Sequence, residues 1–172
     1  SALSSTSNVK SSSTTPLDIV LVLDASGSMD DSMDDGTKRI DALKSAANNF
    51  VNHIAEQNQG ISDSSKQHQV SIVKFSGDKS AAVGNDTYYR GGYKYNYSQV
   101  MKAMSPCTDA AAFRNTINSI NPAGSTRADY GLQLADSQTS NREDAKKIVI
   151  FFTDGSPTSS SGFESEAASS AV

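Results

Sequence analysis

An apolar run leads directly into a polar loop in the stretch Asp18-Ile19-Val20-Leu21-Val22-Leu23-Asp24-Ala25-Ser26-Gly27-Ser28-Met29. Its apolar run, Ile19 to Leu23, is rich in β-branched residues and too short for a helix, so it predicts a strand buried on both faces. Such strands occur in parallel sheets covered by helices, where ligands bind just outside the carboxyl ends of the strands. Asp24, Ser26 and Ser28 follow the run at alternate positions. Three oxygen-bearing side chains on one tight loop suit a hard divalent cation, which takes oxygen ligands at about 2.0–2.6 Å.

Two later stretches carry further oxygen ligands in a similar setting. Gly124-Ser125-Thr126 is a predicted turn that leads into a helix. Ile148 to Thr153 is the most hydrophobic run of the chain, predicts another buried strand, and is followed by Asp154-Gly155. An Asp-x-Ser-x-Ser loop after a strand, a Thr on a second loop and an Asp after a later strand resemble, in this order, the metal-ion-dependent adhesion site of von Willebrand factor type A (VWA) domains. The resemblance covers roughly Pro16 to Val172.

The resemblance implies an α/β fold with an open, mainly parallel, Rossmann-like sheet and helices on both faces. Asp18–Leu23 and Ile148–Thr153 are expected side by side at the centre of this sheet, because neither run alternates. Family members continue with at least one more strand and a final helix, so the sheet is expected to be cut off at its far edge after Val172. The chain begins at Ser1 without a Met, and we expect it to be a piece of a longer protein.

The same resemblance implies a metal site of five residues, namely Asp24, Ser26, Ser28, Thr126 and Asp154. In such sites the three hydroxyls bind the ion directly or nearly so. The two carboxylates bind it largely through water and also hold the hydroxyls. The set contains no His or Cys, which argues against Zn²⁺ and favours Mg²⁺, with Mn²⁺ or Ca²⁺ as alternatives.

Neutral hydroxyl ligands leave a divalent cation electron-poor, so the ion is expected to accept an acidic side chain from a partner at its open position. The predicted function is metal-dependent adhesion by a bacterial surface or pilus-tip protein, outside the cell, to a host or extracellular-matrix protein. The Ser/Thr/Asn-rich composition and a Tyr-rich insertion favour this function, which is similar to that of Gram-positive pilus-tip adhesins. Other domains of the parent chain are expected as further partners.

Two alternatives to adhesion stay open. The first is an intracellular VWA-type scaffold that assembles a protein complex with a chelatase or an ATPase. The second is a purely structural ion that ties the three loops together. The parent gene would separate the adhesin from the scaffold, because a secretion signal and a cell-wall sorting motif are expected only for the adhesin.

The composition narrows the class of protein. The 172 residues fit one domain, which can bury about 70% of its unfolded surface. The formal net charge is −4 and the 15 basic residues form no long cluster, so a nucleic-acid surface is not expected. No apolar run approaches the ~18 residues of a membrane span. The single cysteine, Cys107, excludes a disulfide framework within the chain.

Sequence patterns of enzymes that would use the same acids are missing. A haloacid-dehalogenase-like phosphatase needs an acid two residues after its nucleophilic Asp, where Ser26 stands. A phosphate loop needs Gly-Lys-Ser/Thr, which the sequence lacks. A serine or cysteine nucleophile needs a nearby His, and neither His53 nor His68 is placed for Ser26, Ser28 or Cys107. We therefore predict that the protein is not an enzyme.

Two polar segments stand apart from the predicted core. Residues 1–15 are rich in Ser and Thr with almost no large apolar residue, and they predict a linker or a loosely attached arm. An acidic loop follows the first metal loop. It is either a solvated surface or a second, weaker Ca²⁺ site, and its carboxylates are Asp30, Asp31, Asp34 and Asp35.

The insertion at about 77–98 holds five of the six tyrosines of the chain. Two interpretations are open: an element that projects from the domain and contributes to partner choice, or a β-hairpin that extends the edge of the sheet.

The remaining elements flank the metal loops. They are helices at about Lys38–Ala55 and Ala110–Asn121, the latter capped by Asp109, strands at Val70–Phe75 and about Gln99–Met104, and a helix start at Phe163–Val172.

Overall fold

The computed structural model describes residues 15–78, 82–138 and 140–153. The predicted arm up to residue 14, the predicted helix start after Gly162 and Asp154 itself lie outside these ranges. In chain order the elements are β1 (Leu17–Asp24), α1 (Arg39–Gln59), β2 (Gln69–Phe75), β3 (Thr87–Arg90), β4 (Tyr93–Asn96), β5 (Gln99–Pro106), α2 (Ala110–Asn118), α3 (Ala128–Ser137) and β6 (Lys146–Phe152), with short 3-10 helices at Gly27–Asp30 and Ser64–Lys66.

The main sheet has the strand order β5-β2-β1-β6 in the described part of the chain. β1 pairs in parallel with both β2 and β6, and β5 runs antiparallel to β2. The register places Asp24 opposite Phe75 and Leu23 opposite Phe152. The predicted mainly parallel α/β sheet and the adjacency of the two apolar runs are therefore confirmed. β6 differs from the prediction in one respect, since it is the outer strand of the described sheet rather than a central one.

β1 is buried along its whole length and contributes side chains to two separate hydrophobic cores. Its odd-numbered residues from Leu17 to Leu23 face the core under α1 and α2, and Val20 and Val22 face the core under α3. This burial on both faces is why the run reads as uninterrupted rather than alternating. Helices consequently cover both faces of the sheet, as predicted.

α1 continues to Gln59, four residues beyond the predicted end at Ala55. Asn58 is buried, and its Nδ2 donates to the carbonyls of His68 at 3.0 Å and Cys107 at 2.9 Å. Its Oδ1 accepts the backbone N–H of His68 at 2.7 Å. Tertiary hydrogen bonds thus bury polar residues that the apolar pattern of the helix would have left in a loop.

α3 approaches the sheet closely through Gly131. A Cβ atom added to this glycine would lie 2.7 Å from Val22 Cγ1 and 2.9 Å from Phe75 Cδ2, closer than van der Waals contact. The helix therefore packs its backbone against β1 and β2, which fixes its amino end beside the carboxyl edge of the sheet. None of the helices in the described ranges combines the length and apolarity needed to cross a bilayer.

The Tyr-rich insertion forms a hairpin with a sheet of its own, in which β3 and β4 pair antiparallel. The turn is made by Gly91 and Gly92, whose φ angles of 59° and 84° match a two-residue turn of the type that suits hairpins. The hairpin interpretation is thus correct in part, but the hairpin does not extend the main sheet. The edge of that sheet is β5, as predicted, and α2 ends at Asn118, three residues before the predicted Asn121.

Candidate metal centre

Asp24 ends β1 and is completely buried. Its Oδ1 accepts the backbone N–H of Ser26 at 2.9 Å and the Ser26 hydroxyl at 2.6 Å. Its Oδ2 accepts the hydroxyl of Thr153 at 3.1 Å. A carboxylate that bonds the backbone two residues on forms an Asx turn, which folds the chain back over the end of the strand. The carboxylate therefore orients the hydroxyls of Ser26 and Thr153.

Ser26 and Ser28 lie on opposite sides of Gly27, with their Oγ atoms 3.3 Å apart. Ser26 is buried and Ser28 is exposed. Because the Ser26 hydroxyl donates its hydrogen to Asp24, its lone pairs remain available to a cation. Neighbouring ligands of an octahedral ion with bonds of about 2.1 Å lie about 3.0 Å apart, so the two hydroxyls fit adjacent positions around Mg²⁺ with little adjustment. Met29, which is 1% exposed, anchors the following 3-10 helix in the core.

The loop that carries Thr126 is bonded directly to this first loop. Ala123 donates its backbone N–H to Ala25 O at 2.8 Å, and Gly27 donates to Gly124 O at 2.8 Å. Thr126 follows two residues later and stands immediately before Arg127, the N-cap of α3. The predicted turn and its neighbour are therefore joined by two backbone bonds in opposite directions.

The loop after β2 meets the same assembly. Gly77 and Ser125 exchange two backbone hydrogen bonds, of 3.0 Å and 2.7 Å. Ala25 also donates its backbone N–H to Phe75 O at 2.9 Å, continuing the β1–β2 ladder past the end of the strands. Backbone hydrogen bonds thus connect the first loop, the Thr126 loop and the segment that leads into the insertion.

Arg127 fixes the chain just after Thr126, a role that the sequence analysis missed. Its guanidinium donates to both carboxylate oxygens of Asp129, at 3.0 and 2.8 Å, and to Asp78 O at 3.3 Å. It also lies 3.8 Å from the centre of the Tyr130 ring. These hydrogen bonds lower the pKa of the Asp129 carboxyl and raise that of Arg127. The signal was the Arg-x-Asp-Tyr run directly after the Thr, which allows a bidentate pair.

A family model described as the von Willebrand factor type A domain matches residues 18–171. The chain belongs to the VWA family. No curated protein matches it. The VWA domain is similar to the pilus adhesin SpaC from Lactobacillus rhamnosus GG, with 28% identity and a TM-score of 0.56 over 83% of this chain and 16% of that one.

Two further solved structures share the fold. The pilus adhesin RrgA from Streptococcus pneumoniae is 19% identical over 83% of this chain and 21% of its own, with a TM-score of 0.57. An aerotolerance-related membrane protein from Bacteroides fragilis is 17% identical over 90% of this chain and 62% of its own, with a TM-score of 0.58. The VWA domain therefore spans only a small part of the pilus adhesins that it resembles, and the fold also occurs in a protein that is not described as an adhesin.

The structure of the VWA domain brings together the loops of four predicted ligands and leaves the fifth outside its range. Asp24, Ser26 and Ser28 share one loop, and Thr126 lies on the loop bonded to it. Asp154 is not described, but Thr153, the residue before it, reaches Asp24. Thr153 is a contact that the sequence analysis missed, and its place directly before the predicted Asp was the available signal. The ligand set as a whole stays a prediction.

The acidic loop is exposed throughout. Asp30 pairs with Lys38 at 3.0 Å, and Asp35 accepts the backbone N–H of Thr37 at 2.9 Å. In the described part of the VWA domain there is no group of three or more His, Cys, Asp or Glu side chains placed to hold a metal ion. Both interpretations of the acidic loop, a solvated surface or a weaker Ca²⁺ site, therefore stay predictions.

His68 and Cys107 serve the core of the VWA domain. His68 Nδ1 accepts the Leu17 N–H at 3.1 Å at the amino edge of the sheet, opposite to the edge that carries Ser26. Burial, with a smaller contribution from Arg142, lowers the pKa of His68. Burial also raises the pKa of the Cys107 thiol to about 12, so this thiol is protonated and unreactive at neutral pH.

Proposed function

We propose that this VWA domain binds one divalent cation at the carboxyl edge of its sheet and uses it to hold an acidic side chain of a protein ligand. Mg²⁺ is the expected ion, with Mn²⁺ or Ca²⁺ as substitutes. The observation that carries the proposal is the buried Asp24, which orients the Ser26 hydroxyl next to that of Ser28, on a loop bonded to the loop of Thr126. The proposed ligands are Asp24, Ser26, Ser28, Thr126 and Asp154.

The chemistry of these residues separates two tasks. Ser26, Ser28 and Thr126 would supply neutral oxygens to the ion, and Asp24 would hold the hydroxyls while balancing part of the charge at longer range. An ion with mainly neutral ligands favours a carboxylate at a remaining position. Ser28 is exposed, so the ion would lie where a partner can reach it. The bound ion supplies the attraction for the carboxylate; the domain supplies its placement.

The similarity to pilus adhesins supports an adhesion-type function and a place on the cell surface or pilus tip. SpaC supports it most, because its identity to this chain is 28%. The chain covers only 16% of SpaC, so we also propose that other domains of the parent protein accompany this one. We propose the protein ligand by its chemistry alone: a host or extracellular-matrix protein whose surface presents a carboxylate. We propose that the domain acts by binding and not by catalysis.

Titration calorimetry with Mg²⁺ and Mn²⁺ tests the proposal on three proteins: wild type, Asp24→Asn and the control Asp144→Asn. Asp144 is an exposed carboxylate paired with Lys66 at 2.7 Å, at the opposite edge of the sheet. We expect wild type and the control to bind one ion and Asp24→Asn to lose most of this binding. An ion that binds only the folded state stabilises it by about 2.7 kcal/mol at a hundred times its dissociation constant, so the melting temperature should rise in parallel.

The same three proteins then serve in an adhesion assay on immobilised extracellular-matrix proteins, with Mg²⁺ or with EDTA. Adhesion that disappears with EDTA and with Asp24→Asn supports the proposed function. Equal metal binding by wild type and Asp24→Asn would refute the site. Metal binding without metal-dependent adhesion to any of these proteins would indicate a structural ion instead.

A further inference from the structure

The tip of the β3–β4 hairpin presents aromatic and basic side chains that no packing within the domain explains. Tyr89 and Tyr93 are each 72% exposed, and with Met33 they are the exposed large hydrophobic residues of the described ranges. Arg90 and Lys94 are exposed as well. Exposed Tyr and Arg side chains are typical of protein interfaces, where they contribute much of the binding energy.

The pairing of the hairpin places one tyrosine opposite one cation on each face. Tyr89 lies opposite Lys94, and Arg90 lies opposite Tyr93. Residues directly opposite in an antiparallel pair have side chains on the same face, since successive side chains alternate. Each face of the tip therefore offers a flat ring beside a positive charge, which suits a carboxylate on an extended or flexible protein segment.

Ring and backbone contacts hold the base of the hairpin against the domain. The ring of Tyr88 stacks on Tyr95 with centroids 5.6 Å apart, and its centroid lies 4.7 Å from that of Tyr97. Tyr97 donates its backbone N–H to Asp86 O at 2.9 Å and accepts the Ser76 hydroxyl on its carbonyl at 3.0 Å. A two-stranded hairpin is marginal alone, and these contacts supply the support that it needs.

The hairpin stands beside the candidate metal centre. A Cβ atom on Gly124 would lie 2.5 Å from Tyr97 Cε1, so the Tyr97 ring lies directly against this glycine. Gly124 in turn accepts the backbone N–H of Gly27, which lies between the two proposed serine ligands. The base of the hairpin, at Tyr97, therefore lies against the loop that is bonded to the loop of the proposed serine ligands.

Charge indicates the kind of partner. The chain has a net charge of −4, and residues 87–97 contain Arg90 and Lys94 but no acid, so the hairpin carries +2 and the rest of the chain −6. The hairpin is a positive element on a negative domain, next to a site that would itself hold a cation. Both features favour the same partner, a negatively charged one.

We propose that the hairpin tip forms a second contact for the protein ligand of the metal centre, through Tyr89, Arg90, Tyr93 and Lys94. These side chains bind the carboxylates of an acidic segment of that ligand. The proposal rests on the proposed function in one respect, since the same protein ligand binds at the metal centre and at the hairpin. It goes beyond that function because it assigns a residue-level surface with its own preference for acidic polypeptide. One carboxylate of the ligand would bind at the metal centre, and Arg90 and Lys94 of the hairpin would bind others.

The test uses immobilised poly-L-glutamate as the probe and biolayer interferometry as the readout, with Mg²⁺ or EDTA. The hairpin variant is Arg90→Gln with Lys94→Gln. The control is Lys146→Gln with Lys147→Gln, which removes two exposed positive charges at the amino end of β6, on the opposite edge of the sheet. A third protein, Tyr89→Ser with Tyr93→Ser, tests the rings. Calorimetry with Mg²⁺ on each protein checks that the fold and the metal centre are intact.

We expect the charge variant of the hairpin to bind poly-L-glutamate roughly five- to tenfold more weakly than wild type, since exposed ion pairs contribute little each. The ring variant should also weaken binding, and the control should change it less than about twofold. Magnesium affinity should be equal in all four proteins.

The outcomes separate this proposal from the proposed function. Binding that requires Mg²⁺ but is equal in wild type and the hairpin variants would overturn the hairpin surface and leave the metal-dependent function standing. Binding to poly-L-glutamate that is unchanged by EDTA but weaker in the hairpin variants would support the hairpin surface and overturn metal-dependent binding. No binding of wild type to poly-L-glutamate, or a hairpin-dependent preference for heparin over it, would overturn the choice of an acidic polypeptide.

Discussion

Gly124 is the residue at which the Tyr-rich insertion and the candidate metal loops meet. Its φ of +85° is one that residues with a side chain rarely adopt, and the Tyr97 ring occupies the space where a side chain would begin. Its carbonyl accepts the Gly27 N–H at 2.8 Å, so a shift of Gly124 would pass to the loop of Ser26 and Ser28. Glycine at this position is therefore required twice, for backbone conformation and for space.

We predict that Gly124→Ala destabilises the domain by about 2–4 kcal/mol, from backbone strain and displacement of Tyr97. It should also weaken Mg²⁺ binding by about tenfold or more, in line with the effect of losing residues that orient metal ligands. Urea denaturation and titration calorimetry give the two values.

Gly84→Ala is the matched control for this prediction. Gly84 has nearly the same φ, +89°, but a Cβ there would meet nothing within 4 Å. Gly84→Ala should lower the free energy of unfolding only by the backbone strain, about 1 kcal/mol, and leave Mg²⁺ affinity unchanged. Equal losses of metal affinity in the two variants would show that the Tyr97 contact does not support the metal loops.

Lys74 is a buried lysine whose burial lowers the stability of the folded domain at neutral pH. It is 3% exposed on β2, its ammonium lies 5.8 Å from the centre of the Tyr88 ring, and burial lowers its pKa from 10.5 to about 8. The unfolded chain therefore binds this proton more tightly than the folded domain does. Stability from this group is present above pH 10.5 and is lost as the pH falls from 10.5 through about 8.

We predict that Lys74→Met raises the free energy of unfolding at pH 7 by up to about 3 kcal/mol, because the shift of the lysine pKa no longer opposes folding. The gain should shrink when the pH is raised from 7 to 10. Denaturant titrations of wild type and variant at both pH values check this, and Lys146→Met, at an exposed position, should show neither effect. A gain that is the same at both pH values would show that packing, not charge burial, is responsible.

Among the secondary-structure elements, α3 connects the sheet to the metal loops. Gly131 lets the helix backbone rest on Val22 and Phe75, and Arg127 at its amino end clamps Asp129 and Asp78 O. The helix is short, ten residues, so its position depends on these contacts rather than on its own stability.

We predict that Gly131→Ala destabilises the domain by about 1–2 kcal/mol. Alanine favours a helix by up to about 1 kcal/mol over glycine, but the added methyl group overpacks the interface with β1 and β2 at a cost of about 1–3 kcal/mol. Gln133→Ala, on the exposed side of the same helix, should be neutral or slightly stabilising. Chemical denaturation measures both, and a stabilised Gly131→Ala would contradict the close packing.

Most elements could be predicted from the sequence because their apolar residues follow one clear period. β1 and the core of β6 are uninterrupted runs, and α1 carries a single stripe. The errors lie where tertiary contacts override the pattern. Asn58 is buried by bonds to His68 and Cys107, so α1 continues past its apolar stripe. The rings of Tyr88, Tyr95 and Tyr97 pack on one another at the base of the hairpin, and β3 and β4 form a sheet of their own instead of extending the main sheet.

At the scale of the whole molecule, the candidate metal centre is a consequence of topology. Parallel pairing of β1 with β2 and β6 brings the carboxyl ends of three strands to one edge, and α3 delivers the Thr126 loop to the same place. The order of the motif in the sequence predicted that the loop after β1 lies beside the loop of Thr126, and the backbone bonds between these two loops agree with it. The supporting residues, Tyr97, Arg127 and Thr153, were not predicted because their roles depend on distances between segments far apart in the chain.

Anomalous diffraction from crystals grown with Mn²⁺ measures directly whether an ion binds at the carboxyl end of β1. We expect one strong peak within bonding distance of the Ser26, Ser28 and Thr126 hydroxyls, with Asp24 and Asp154 around it, and no such peak for Asp24→Asn. A single peak among the acidic side chains between Asp30 and Asp35, or no peak at the end of β1 at a saturating Mn²⁺ concentration, would contradict it.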